Sequence, residues 1–345
     1  MEWITLSFPG QRVVAVPHWG DPRLFVPAGA PWERWRKSAI YPAFRIRARL
    51  FRTLQRLKAA GGVTPSRRAP RNGTLLVGFL HPELPQGVTS SILVGTPGPA
   101  QKLIVTVWDA CSRPIAYVKY GETPAAMRRI KNEFAVLSAL PESLGPKPLK
   151  LAPLGDGLAL LMTAVPGQHL PARLPPPQEA VDFLHTLSAT QERVQIQDHP
   201  WAQRTLTRPR EAAALPQWLE VLARRDRPVV RQHGDFAPWN LLRLGRGRVR
   251  AIDWEYGSTD GFPDADLAYY ILQVGALIYR WSPAQTFAYA QRYFSRTPSA
   301  GCAPGETEAL LRLTAWHAYC QALEDGHAPG SPLQVWRRAL WSADA

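Results

Sequence analysis

An α+β chain with a small antiparallel sheet ahead of a mainly helical region is the expected fold, and three observations carry it. Short β-like runs cluster at Ser91–Val94, Leu103–Trp108, Ile115–Lys119, Leu149–Leu154 and Gly157–Thr163. Amphipathic helical stretches follow, from Pro177 to Trp341. A length of 345 residues suits a large core divided between two lobes.

Composition narrows the class. Apolar residues make up 46% and charged residues 20%, which is a globular balance that excludes an intrinsically disordered chain. Three widely spaced cysteines, Cys111, Cys302 and Cys320, give neither a disulfide framework nor zinc-ligand spacing, so a reducing, cytoplasmic setting is expected. The start, Met1-Glu2-Trp3-Ile4, has no basic patch leading into an apolar stretch, so no secretory signal is expected. The longest apolar segment, Leu267 to Trp281, contains Gln273 and Arg280 and is too short to span a bilayer; it reads as a buried helix. The net charge of +14 would draw any polyanion. No nucleic-acid motif accompanies it, so no nucleic-acid partner is expected.

Residues 1–88 read as an extension. A hairpin is expected from Trp3–Phe8 across Pro9-Gly10 to Val13–Val16, then a loop from Asp21 to Pro31. Trp32 to Ala60 carries Arg34, Arg36, Lys37, Arg45, Arg47, Arg49, Arg52, Arg56 and Lys58. At helical spacing Ile46, Leu50, Leu54 and Leu57 form a stripe with Arg45, Arg49, Arg52 and Arg56 along one flank. The expected arrangement packs the stripe on a neighbouring lobe and leaves the arginines in water. The alternative lays residues 32–60 on an anionic membrane. Gly61-Gly62 ends the helix, and Thr64 to Gly73 reads as a linker.

A small lobe is expected over residues 89–165. Gly95-Thr96-Pro97-Gly98 sits between its first two strands, and Gly95 and Gly98 would let backbone amides approach a phosphate, although Pro97 removes one donor. Lys119 closes the third strand, and Glu133 falls on a predicted helix fourteen residues later. An ammonium held by such a glutamate would point at nucleotide phosphates.

The large lobe, 166–345, contains the stretch with the most chemistry. His233-Gly234-Asp235 is followed by Asn240, and Ile252-Asp253-Trp254-Glu255 comes at the end of a β-like run. One carboxylate can orient and deprotonate a hydroxyl, while an amide and a second carboxylate offer hard oxygen ligands to Mg²⁺ on ATP phosphates. Asp235 therefore reads as the base, and Asn240 and Asp253 as metal ligands.

These two motifs resemble those of the aminoglycoside phosphotransferase and choline kinase superfamily, which has a bilobal protein-kinase-like fold. The resemblance extends in outline over residues 90–340. It implies that Lys119 with Glu133 serves ATP phosphates, and that the backbone of Met162 to Ala164 forms a hinge that bonds adenine. It also implies that His233 and Asp266 give the loop structural support, the His233 ring through backbone contacts and Asp266, in Asp264-Ala265-Asp266, as a helix-capping residue. Asp260 and Asp264 are candidates to face substrate.

The expected function is an ATP- and Mg²⁺-dependent transfer of phosphate to a hydroxyl of a small molecule, such as a sugar or an amino alcohol. One alternative is a catalytically silent kinase-like binding module. Another is a membrane-associated kinase of a cell-envelope or lipid-linked carbohydrate. Trp281, Trp316, Trp336 and Trp341 are core candidates first and substrate-stacking candidates second.

Overall fold

Eight strands form one antiparallel sheet in the first part of the chain, in the order Arg67–Arg68, Arg12–Val16, Leu24–Pro27, Thr89–Val94, Leu103–Trp108, Pro114–Gly121, Gly157–Thr163, Pro148–Leu154. The computed structural model describes residues 6–39, 43–62, 64–69, 75–80, 87–188, 193–207, 215–297 and 303–342. It divides into two units, Met1–Ser138 with Pro146–Val165 and Ala139–Gly145 with Pro166–Ala345.

In the first unit the strands are β1 (Arg12–Val16), β2 (Leu24–Pro27), β3 (Arg67–Arg68), β4 (Thr89–Val94), β5 (Leu103–Trp108), β6 (Pro114–Gly121), β7 (Pro148–Leu154) and β8 (Gly157–Thr163). Its helices are α1 (Pro31–Lys37), α2 (Ile46–Gly61), α3 (Leu75–Leu80) and α4 (Pro124–Ala139). Strand β8 is an unbroken apolar run because it is buried along nearly its whole length between β6 and β7. Its Leu161 packs with Ile92, Val105 and Val118 in the core of the sheet. Register places Lys119 of β6 opposite Ile104 on one side and Leu160 on the other.

The N-terminal strands differ from expectation. Strand β1 pairs with β2, not with the segment before Pro9, and β2 in turn pairs with β4, so the extension prolongs the same sheet. Residues 1–5 of the expected hairpin lie outside the described residues, and Leu6 and Ser7 are not strand. Leu24-Phe25-Val26, placed in a loop by its Pro and Gly flanks, is fully buried, and burial of three large apolar side chains outweighs the turn signals around them. Arg67–Arg68, within the expected linker, pairs with β1.

The basic region forms two helices, with α2 packed on α1 and β1. Gly62 ends α2 with φ of +63°, a left-handed cap that glycine adopts without a Cβ penalty. The expected orientation of α2 is reversed. Gln55 and Ala59 face inward, while Ile46, Leu50, Leu54 and Leu57 lie exposed. Part of the reason is Arg56: its Nε and Nη2 each donate to the Trp35 carbonyl at 3.1 Å, and its guanidinium lies 3.9 Å over the Trp35 ring. That contact holds the arginine flank against α1.

The second unit is mainly helical, with α5 (Gln178–Leu187), α6 (Pro200–Leu206), α7 (Leu215–Leu222), α8 (Ala265–Val274), α9 (Pro283–Arg296), α10 (Pro304–Glu324) and α11 (Pro332–Arg338). Helix α10 packs on α7, α8, α9 and α11 around a core that includes Trp201, Leu222, Leu310, Trp316 and Trp341. Short pairings link β9 (Gln168–His169) to β13 (Leu241–Arg243) and β13 to β14 (Val249–Ala251). Others join β10 (Arg193–Val194) to β11 (Arg227–Pro228), and β12 (Val230–Gln232) to β15 (Ser258–Gly261). The apolar segment from Leu267 is α8 followed by a π-helical turn, Gly275–Tyr279. Among the described residues no helix is long and apolar enough to cross a membrane.

Truncating Leu161 to alanine removes buried methyls from the middle of the sheet. It should lower the unfolding free energy of the first unit by about 2–5 kcal/mol, read from urea titrations of the wild type and variant.

Candidate active site

Lys119 and Glu133 meet inside the first unit. The Lys119 Nζ lies 2.7 Å from Glu133 Oε1 and 2.6 Å from Oε2, with both side chains buried. β6 carries the lysine and α4 the glutamate, so strand-to-helix packing sets the pair. A buried ammonium needs a counter-charge, because desolvating it alone would cost several kcal/mol. Gly95 and Gly98 lie in the turn between β4 and β5. That turn is closed by Gly95 N–H to the Lys102 carbonyl at 2.9 Å and Gln101 N–H to the Gly98 carbonyl at 3.0 Å.

The hinge expectation needs correction at Ala164. Its N–H donates to the Ile115 carbonyl at 3.0 Å, and that of Thr163 donates to the Lys147 carbonyl at 2.9 Å. Met162, in β8, stands opposite Tyr117 of β6. Sheet hydrogen bonding thus occupies the Thr163 and Ala164 amides, and an adenine donor contact from Ala164 is not available.

The second unit builds a loop around Asp235. Asp266, in the first turn of α8, accepts from the backbone N–H of His233 at 2.6 Å and from that of Gly234 at 2.9 Å. These two bonds make it a support for the loop, while the N-capping position of its helix is that of Asp264. The His233 Nε2–H donates to the Ile252 carbonyl at 2.9 Å, and its Nδ1 accepts from the Asp235 N–H at 3.3 Å. Those roles define a neutral imidazole whose two nitrogens are committed to backbone. Gly234 has φ of +76°, and a Cβ there would lie 2.2 Å from the Tyr256 carbonyl oxygen, so no other residue fits.

Asp235 is held at both carboxylate oxygens. Tyr269 hydroxyl donates to Oδ1 at 2.8 Å, and Asn240 Nδ2 donates to Oδ2 at 2.9 Å and to the Asp235 carbonyl at 2.9 Å. This fixes the Asn240 amide with its oxygen turned away from Asp235. Ile252 N–H bonds the Asn240 carbonyl at 2.8 Å, which ties the loop to the segment carrying Asp253. Asp253 adopts φ of +67°, an uncommon backbone state for a side-chain-bearing residue and one that concentrates at functional sites. Burial pushes the Asp235 carboxyl up to about 7, and the charges of Asp253 and Glu255 push in the same direction, against the Tyr269 and Asn240 hydrogen bonds. Burial likewise pushes Asp266 up to about 7.

A cavity of about 290 Å³ opens over Asp235, walled by Glu255, Tyr256, Tyr269, Gln321, Gln334 and Arg337 among others. Arg337 donates to the Ala318 carbonyl at 3.2 Å and to Gln334 Oε1 at 2.9 Å, which fastens α11 to α10. Asp260 and Asp264 do not line this cavity. Asp260 instead pairs with Arg204 and accepts from Ser258. Of the four tryptophans, Trp316 and Trp341 are core and Trp336 Nε1 donates to the Trp281 carbonyl; none faces the cavity.

Tyr269, Gln321 and Arg337 escaped the reading of the sequence. For Tyr269 a signal existed: it lies three residues beyond Asp266, on the same helix face, so a helix whose aspartate grips the loop also presents that hydroxyl to it. Gln321 and Arg337 come from distant helices and carry no local signal.

A sheet bearing a lysine–glutamate pair, followed by a helical unit with this loop, is the arrangement of a protein-kinase-like fold. The chain belongs to the phosphotransferase enzyme family, whose model matches residues 82–309. Among solved structures it is similar to aminoglycoside phosphotransferase APH(4)-Ia, with 16% identity over 77% of this chain and 96% of the other at a TM-score of 0.48. The Plasmodium vivax ethanolamine kinase shares 11% identity over 88% and 89%, at 0.49. Choline kinase LicA from Streptococcus pneumoniae shares 16% over 72% and 91%, at 0.43. No curated protein matches the chain.

Two measurements follow from these charges. Glu133→Ala strands a buried ammonium and should cost about 3–5 kcal/mol of stability, most of it regained in a Lys119→Met/Glu133→Leu double variant, as read by chemical denaturation. Because the folded-state pKa of Asp235 is raised, its contribution to stability is full below the ordinary carboxylate range and is lost as pH rises through about 7. Without metal or nucleotide, the melting temperature of the wild type should therefore fall relative to Asp235→Asn between roughly pH 4 and 7 and then run parallel to it. A constant gap across that window would refute the buried, crowded state of this carboxyl.

Proposed function

We propose that this protein transfers the γ-phosphoryl group of ATP, with Mg²⁺, to a hydroxyl of a small polar metabolite. The observation that carries the reading is the Asp235 carboxylate, held by Tyr269 and Asn240 at the floor of a polar cavity. A base so positioned accepts the acceptor's proton while the oxygen is aimed for in-line attack.

The donor set fits a divalent cation. Asn240 and Asp253 offer hard oxygens, and the mutual repulsion of Asp235, Asp253 and Glu255 is what a 2+ ion would relieve. Mg²⁺ bound there would neutralise charge developing on the phosphates. Lys119, held by Glu133, supplies a fixed positive charge for the nucleotide phosphates. His233 and Asp266 keep the loop in place and take no proton from substrate.

The cavity wall supports an acceptor rich in hydroxyls, such as a sugar. Gln321 and Ser331 offer polar groups to hydroxyls, and among the described lining residues the phenol rings are those of Tyr256 and Tyr269, fewer than an aromatic cage for a quaternary amine would present. Arg337 in the same wall disfavours a polycation.

The test is phosphoryl transfer from MgATP over a panel of sugars, sugar acids and amino alcohols. Asp235→Ala should lower kcat by about 10²–10⁴-fold while ATP affinity, measured by calorimetry, changes only a few-fold. Undiminished turnover in that variant would reject Asp235 as the base, and no ATP binding by the wild type would reject the reading as a whole.

A further inference from the structure

Helix α2 turns its apolar stripe outward. Ile46 is 76% exposed, Leu50 66%, Phe51 52%, Leu54 50% and Leu57 55%, and the five share one arc of the helix. Arg47 and Lys58 fall within that arc, between Leu54 and Phe51, and Arg49 is exposed beyond its other edge. The inner face is closed by Gln55, Ala59 and Arg56, so α2 cannot rotate to hide the stripe without breaking the contact of Arg56 with Trp35. A run of large aliphatic and aromatic side chains left in water at this density marks a surface that something covers.

Charge identifies the kind of partner. Residues 34–82 contain 12 lysines and arginines and no aspartate or glutamate. Exposed Arg36, Arg67 and Arg68 add to those of α2 within the same unit. An apolar face bordered by cations, on a helix too polar to span a bilayer, has the chemistry of an element that lies in a membrane interface. Its aliphatic side chains enter the acyl boundary and its cations meet anionic headgroups. A nucleic acid would use the cations and leave the aliphatic residues in water, and an apolar protein groove would not call for so many cations beside the stripe.

We propose that the outward face of α2, centred on Leu50, Leu54 and Leu57, docks this protein peripherally on an anionic phospholipid surface. The inference is independent of the phosphotransferase reading, since no residue of the loop around Asp235 takes part in it.

The full-length protein should co-sediment with vesicles containing about 30 mol% phosphatidylglycerol at about 0.1 M salt, and much less with phosphatidylcholine alone. Substituting Leu50, Leu54 and Leu57 together by glutamine should weaken that binding at least tenfold with an unchanged melting temperature, because all three side chains are already solvated. Replacing Arg47 and Lys58 by glutamate should weaken it as well and reduce its salt dependence. Three results would overturn the proposal: no difference between anionic and neutral vesicles, full binding by the triple glutamine variant, or a wild-type oligomer that the triple variant converts to monomer in light scattering. The last would assign the face to a second copy of the chain. Full binding by the glutamine variant combined with loss in the glutamate variant would assign it to a partner read by charge alone.

Discussion

The two hydrogen bonds from the His233 and Gly234 amides to Asp266 are the constraint on which the site geometry rests. They tie an irregular loop to the first turn of α8, a helix buried along almost its whole length. A loop cannot fix a carboxylate to within a few tenths of an ångström by itself, since its own backbone has no ladder to hold it. By anchoring two successive amides, Asp266 transfers the rigidity of the helix to Asp235. Tyr269, one turn further along α8, then reaches the same carboxylate from the same support. His233 completes the bracing by joining the loop to the Ile252 carbonyl, next to Asp253.

Rigidity is accompanied by electrostatic and conformational tension. Asp235, Asp253 and Glu255 crowd negative charge where burial already disfavours it, and Gly234 and Asp253 both adopt left-handed backbone. Such features persist where the surrounding hydrogen bonds over-determine the structure. In the function proposed above, a divalent cation held by Asn240 and Asp253 would relieve that repulsion. The Lys119–Glu133 pair follows the opposite logic. There both charges are internal to the first unit and neutralise each other, so the lysine is positioned by its partner before any ligand arrives.

The N-terminal region shows how the same composition can serve two surfaces. Strands β1 and β2 continue the sheet through β4, so the extension is integrated into the first unit by backbone hydrogen bonds. On that support α1 and α2 divide the work of their arginines. Arg34 and Arg56 turn inward to carbonyls of the helix pair, whereas Arg47 stays in solvent beside the aliphatic stripe.

The local chemistry of this chain was legible in its sequence. The β-rich runs and their order, the helices after Pro177, and the two motifs at His233-Gly234-Asp235 with Asn240 and at Ile252-Asp253-Trp254-Glu255 follow from short-range periodicity and from residue types at fixed spacing, which are properties of neighbouring residues. What required the tertiary structure were the facts set by partners far along the chain. Strand β2, hidden among turn residues, was decided by burial against β1 and β4. The role of Asp266 was decided by two amides more than thirty residues away. The cavity wall was decided by α10 and α11, and the outward face of α2 by whether Arg56 or Leu54 found a partner on α1. In each case local preference permitted more than one arrangement, and packing and hydrogen-bond satisfaction between distant segments selected among them.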